Sequence, residues 1–277
     1  MEKILYVTDL DGTLMRDDKT ISEETVAILN RLIDRGIYVT YATARSMSSA
    51  SVITRDIHFP LPAIIRNGTI LADARTGEEL EKICFTREET DVLRKYIRDF
   101  VNDIPGYVTA YIEGVQKKSY LKGVMNTGFV DYLENHAKDM RLREVEEEAQ
   151  LYEGEVNYFT FIADKEELDP LYQLVKESLD WICVYQKDKY RPEYWLEICP
   201  REATKAKAIQ KLQRQYGCSR VVVFGDSLND ISMFEIADEA YAVANAMEEL
   251  KTIATEVIGD NNSDGVARWL ERRYNHD

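Results

Sequence analysis

The chain has 277 residues, 45% hydrophobic and 31% charged, with a net charge of −15 at pH 7. At about 150 residues per domain, this length suggests two domains and a core large enough to need no disulfide or metal staple. Such acidity tells against nucleic acid, whose phosphates need clustered Lys and Arg, and against anionic membrane surfaces.

Ile4 to Val7 is a short apolar run that stops abruptly at polar residues. It reads as a strand buried on both faces, the kind found in parallel sheets, and is too short for a signal-peptide core. Asp9-Leu10-Asp11-Gly12-Thr13 follows directly. Ser22 then reads as an N-cap, Val26, Leu29 and Ile33 recur at helical spacing, and Gly36 stops the helix. Ile37 to Tyr41 is a second strand, so the chain opens β-α-β and implies an α/β sheet with a right-handed crossover.

From about Ile83 to Lys189 the texture changes to alternating, Tyr-rich segments such as Val108 to Ile112 and Tyr158 to Ile162. Thr86 with Glu89, and Asp164 with Glu167, form capping-box patterns at two helix starts. Antiparallel strands mixed with helices predict a compact α+β insert. Glu144 to Glu155 carries six glutamates in twelve residues and reads as a solvated linker or helix face. The last third returns to alternation: a helix over Ala203 to Tyr216, a buried strand Val221 to Phe224, and a helix Asp230 to Ala237. A strand Tyr241 to Ala244 and a helix Gly265 to Arg273 close the chain.

No stretch approaches the 18 apolar residues of a membrane span, and the four cysteines have no Cys-x-x-Cys spacing. Reduced thiols in a cytoplasmic protein are the expectation. There is no Gly-x-Gly-x-x-Gly fingerprint, no Gly-x-Ser-x-Gly elbow, and no zinc-ligand spacing among His58, His136 and His276.

Four segments carry chemistry. Asp9 and Asp11 fall beyond the carboxyl end of the first strand, where ligands bind in open α/β sheets. Thr43-Ala44-Arg45 follows the second strand, and its hydroxyl and N–H groups can hold an anion. Lys205 opens a helix, and Gly225-Asp226-Ser227-Leu228-Asn229-Asp230 follows another strand. Each alone reads equally as a cap, a surface lysine or a turn, but all four fall at one sheet edge.

In these motifs the sequence resembles the haloacid dehalogenase-superfamily phosphatases of the Cof-type branch with a C2 cap. The family's Asp-x-Asp-Gly-Thr, Thr or Ser, Lys, and Gly-Asp-x-x-Asn-Asp are matched by Asp9 to Thr13, Thr43, Lys205 and Gly225 to Asp230. Asn67-Gly68, Asn245-Ala246 and Asp264-Gly265-Val266-Ala267 match further. The resemblance implies a Rossmann-like core, a parallel sheet flanked by helices, from residues 1–82 and 190–277. It implies an α+β cap over 83–189 that acts as a substrate lid.

It also implies roles. Asp9 is the expected nucleophile and Asp11 the general acid and base. Asp9, the backbone carbonyl of Asp11, and Asp226 are expected to hold Mg²⁺, and Lys205 to neutralise phosphate and Asp9. Thr43, Ala44 N–H and Asn229 would take phosphate oxygens, Asp230 would orient Lys205 or the metal's waters, and Arg45 and Asn67 would lie near the mouth. Lys117, Lys118, Arg191 and several tyrosines of the insert are candidates for substrate choice. The family's Thr-Gly-Arg is Thr43-Ala44-Arg45 here, and the glycines flanking the lysine are Glu202 and Ala206. The expected partner is a small phosphate ester, with neither nucleic acid nor membrane; the oligomeric state is left open. A phosphomutase, or a phosphosugar-binding protein without turnover, uses the same motifs. A dehalogenase is disfavoured because those enzymes lack the second aspartate.

Overall fold

The computed structural model describes residues 2–188 and 191–275, so His276 lies outside the described residues. The chain divides into two units, Met1–Lys82 with Ala203–Asp277, and Ile83–Glu202.

The first unit opens with β1 (Ile4–Thr8), α1 (Glu23–Asp34), β2 (Tyr38–Tyr41), α2 (Met47–Thr54), β3 (Ala63–Ile65), β4 (Ile70–Ala72) and β5 (Glu79–Lys82). The second comprises α3 (Arg87–Ile97), β6 (Gly106–Ile112), β7 (Val115–Leu121), α4 (Thr127–Asn135), β8 (Leu142–Val145), β9 (Glu155–Ala163), α5 (Lys165–Val175), β10 (Trp181–Lys187) and β11 (Tyr194–Pro200). The first unit resumes with α6 (Lys205–Tyr216), β12 (Arg220–Gly225), α7 (Ile231–Ile236), β13 (Glu239–Val243), α8 (Glu248–Ile253), β14 (Glu256–Ile258) and α9 (Gly265–Asn275).

Five strands of the first unit form a parallel sheet in the order β14-β13-β12-β1-β2. Its middle strands are apolar throughout because helices cover both faces, and Leu5, Tyr6, Val7 and Val221 to Phe224 are buried. The sequence runs outward from β1 to β2 on one side and from β12 to β14 on the other. The order therefore reverses between β1 and β12, the place at which open α/β sheets bind their ligands. In α1 the Ser22 hydroxyl accepts from Thr25 N at 3.0 Å. The buried stripe is centred on Thr25, Ile28, Leu29 and Leu32, with the expected Val26 and Ile33 only flanking it.

The second unit is a six-stranded sheet, β10-β11-β9-β6-β7-β8, mostly antiparallel. One face packs Val108, Phe159, Phe161, Leu196 and Ile198 against Leu93 and Ile97 of α3 and Leu168 and Leu171 of α5. Thr86 caps α3 as the pattern predicts, accepting from Glu89 N at 3.1 Å and donating its own N–H to Glu89 at 2.7 Å. The expected boundary at 189/190 itself lies outside the described residues. The strand after it, β11, pairs with β9 and β10, so the second unit runs to Glu202 and the first resumes at Ala203. The acidic stretch is also structured rather than a linker. It contributes the end of β8 and the start of β9, with a turn between that buries Leu151.

All four cysteines are free thiols. No helix among the described residues is long and apolar enough to cross a membrane.

Candidate active site

Asp9 sits one residue past β1 and Asp226 one past β12, so two hydrogen-bonded neighbouring strands deliver them to the same end of the sheet. The Asp9 N–H donates to Phe224 O at 2.9 Å, tying the loop directly to β12. Gly12, at φ +77°, turns the chain back sharply, and Asn245 Nδ2 holds its carbonyl at 2.7 Å. The Thr13 hydroxyl donates to Asp226 Oδ1 at 3.3 Å, so the last residue of the first motif orients the carboxylate of the last motif.

Lys205 starts α6, whose N-cap Thr204 accepts from Lys207 N at 3.0 Å. Its ammonium donates to Asp9 Oδ1 and Asp230 Oδ1, both at 2.7 Å, and only 1% of the lysine is exposed. Burial alone would lower its pKa. The charges of Asp230 and Asp9 outweigh that, and the group is held well above the ordinary lysine range, fully charged. Asp230 Oδ2 accepts from Asp226 N at 2.9 Å and Ser227 N at 3.1 Å. A side chain at Gly225 would come within 2.8 Å of the Asp230 carboxylate, so only glycine lets Asp230 fold back over the strand end. Asp9, Asp226 and Asp230 are all buried, and one carboxylate oxygen from each lies within 4.8 Å of the others. Such a dense set of hard oxygen donors suits a divalent cation.

Thr43 is buried, and its hydroxyl accepts from Arg45 N at 3.1 Å. Ala44 stands outside the positive-φ region, so alanine replaces the family's glycine without backbone strain. Ala206 lies inside α6, where it favours the helix more than glycine would. Asn229 donates to Asn67 Oδ1 at 3.2 Å and accepts from Ser227 Oγ at 2.9 Å. Arg45 reaches the second aspartate of the first motif. Its guanidinium grips the Asp11 carboxylate at 2.6 Å through both Nε and Nη2.

Sequence reasoning overlooked Arg66, which stands beside the predicted Asn67. Arg66 and Asn67 both adopt left-handed φ, at 51° and 53°, and Gly68 follows at 103°. This strained turn packs against the α6 start so closely that a Cβ on Gly68 would lie 2.3 Å from Thr204 O. Consecutive N-G was a turn signal in the sequence, but nothing local announced left-handed Arg66. In the second unit, Lys118 is buried on Tyr132 OH at 2.9 Å and Asp139 at 3.0 Å, and Arg191 pairs with Asp131 at 2.8 Å. Lys118 is thus built into the unit's own packing, whereas the Arg191–Asp131 pair stays partly exposed.

The sequence pattern of the haloacid dehalogenase-like hydrolases matches residues 6–270. The chain belongs to that family. This haloacid dehalogenase-like hydrolase is 27% identical over 280 residues to a 5-amino-6-(5-phospho-D-ribitylamino)uracil phosphatase of Bacillus subtilis, covering 98% of this chain and 97% of that one. It is 25% identical to a pyridoxal phosphate phosphatase of Escherichia coli, over 97% and 96% of the two chains. A haloacid dehalogenase-like hydrolase of B. subtilis shares the fold, with a TM-score of 0.77, 20% identity and coverage of 98% and 99%. The chain is thus an enzyme of the family's phosphatase group.

Proposed function

We propose that this hydrolase is a Mg²⁺-dependent phosphomonoesterase acting on small phosphorylated metabolites, sugar phosphates first among them, through a phosphoryl group carried on Asp9. The observation that carries the reading is the buried Lys205 ammonium held between Asp9 and Asp230. A carboxylate that must attack a phosphate dianion needs positive charge fixed beside it, and Lys205 provides that charge without solvent reorganisation.

Asp9 attacks phosphorus in line as the bond to the leaving oxygen breaks, and Asp11 supplies the proton that oxygen takes up. Water then attacks phosphorus, Asp11 receives its proton, and the bond to Asp9 breaks. Thr43, Ala44 N–H and Asn229 are the proposed donors to the phosphoryl oxygens, and Asn67 steadies Asn229. The donor set fits Mg²⁺, with Asp9, the Asp11 carbonyl and Asp226 as its ligands. When bound, the ion lowers the repulsion between carboxylate and phosphate. Asp230 already spends both its oxygens on Lys205 and two N–H groups, which supports an orienting role. The inserted unit is the proposed substrate-selecting domain. The two relatives named above act on different phosphate esters, which supports a shared chemistry and leaves the leaving group to be found by assay.

The test is phosphate release from a metabolite panel with Mg²⁺. Wild type should turn over some esters, and Asp9→Asn should release none above background. Equal activity in both proteins on every ester would remove this reading, and isomerisation of a hexose phosphate without free phosphate would replace it with the mutase.

A further inference from the structure

We propose that Arg45 is the positioning residue for Asp11, acting on turnover by aiming that carboxylate and not by holding the phosphoryl group. The proposal rests on the phosphatase reading above. Three donors of the guanidinium are committed: Nε to Asp11 Oδ2 and Nη2 to Oδ1, each at 2.6 Å, and Nη1 to Ser49 Oγ of α2 at 2.9 Å. The main chain of Arg45 is pinned as well. Its N–H donates to Thr43 Oγ1 at 3.1 Å, and its carbonyl accepts from Arg66 N at 3.1 Å. Arg45 is therefore anchored at its backbone and at the tip of its side chain.

Asp11 is in the opposite position. It occupies a non-helical kink, φ −70° and ψ 110°, followed by left-handed Gly12, and its side chain is 25% exposed. An aspartate in such a loop rotates freely unless something fixes it, and the parallel two-pronged contact fixes both its direction and its plane. A carboxylate has about four lone-pair positions, of which the two prongs use two. A protonated carboxyl can keep one oxygen on Arg45 while the other delivers its proton.

The test is a double-mutant cycle on p-nitrophenyl phosphate hydrolysis with Mg²⁺, in wild type, Arg45→Met, Asp11→Asn and the double variant. General acid–base groups contribute about a hundred- to ten-thousandfold, and loss of aim should remove part of that. Arg45→Met should lower kcat about ten- to a hundredfold with KM within about threefold of wild type. The double variant should be no slower than Asp11→Asn alone, because the second change removes a support whose load has gone. Arg45→Lys, which keeps the charge and loses the fork, should stay impaired. If Arg45→Met fails to melt cooperatively, Ser49→Ala provides the check, with a drop in kcat that also vanishes in the Asp11→Asn background. Multiplying losses, a raised KM at unchanged kcat, or wild-type kinetics in Arg45→Met would overturn the proposal. These outcomes are distinct from failure of the phosphatase reading, which shows as an Asp9→Asn enzyme that still releases phosphate.

Discussion

Lys205 satisfies two carboxylates at once, and its removal takes an ammonium contact from both together. Stripping one partner from a buried ion pair costs about 3–5 kcal/mol, since the remaining charge stays desolvated. Lys205→Met should therefore unfold at markedly lower urea in metal-free buffer, and adding Asp230→Asn should recover part of the loss. Unchanged stability in Lys205→Met would mean the carboxylates reorganise without cost. Gly225 makes a different demand. A methyl there would meet Asp230 at 2.8 Å and push the carboxylate off Lys205 and Asp226 N. Gly225→Ala should lose about 1–3 kcal/mol of stability. Its turnover should fall about ten- to a hundredfold, measured on the best ester of the panel.

At the level of elements, the parallel strands were legible because burial on both faces leaves an unbroken apolar run, as in Val221 to Phe224. The four candidate site segments were legible for a related reason. Each stands immediately past such a run or at a helix start, so position alone brought Asp9, Thr43, Lys205 and Asp226 to one edge. The antiparallel trio β3, β4 and β5 was not foreseen. Its first two strands have three residues each, and all four residues of Glu79–Lys82 are exposed, three of them charged, so no buried face marks it. The grip of Arg45 on Asp11 is equally invisible in the sequence, because the direction of a long side chain is decided by a partner 34 residues away. The acidic stretch reads as a solvated linker or helix face because its glutamates dominate the pattern. The structure hangs it on Leu151 and on the ion pair of Arg94 with Glu148.

For the whole molecule, an excess of acid has to be reconciled with an anionic substrate, and the first unit does so locally by fixing Lys205 among its carboxylates. It also places one carboxylate where acid stress will be felt. Glu239, at the start of β13, accepts from Arg273 of α9 at 2.5 and 2.9 Å, Arg220 of β12 at 2.7 Å and Tyr241 at 2.6 Å. The Arg273 hydrogen bonds, helped by Tyr241 and Arg220 against the cost of burial, hold its pKa down to about 2 from an ordinary 4.5. A carboxyl depressed on folding stabilises above its unfolded value, and that contribution fades as pH falls from 4.5 toward 2. Melting temperature should accordingly drop more steeply for wild type than for Glu239→Gln across that interval, and parallel curves would refute the assignment.

The proposed phosphoryl group on Asp9 can be detected directly. The enzyme, mixed with Mg²⁺ and an ester it turns over, is quenched in acid during the first turnover and digested for mass spectrometry. One added phosphoryl group is expected on the peptide containing Asp9, and none in Asp9→Asn. A phosphoryl group on any other residue, or full turnover by Asp9→Asn, would contradict it.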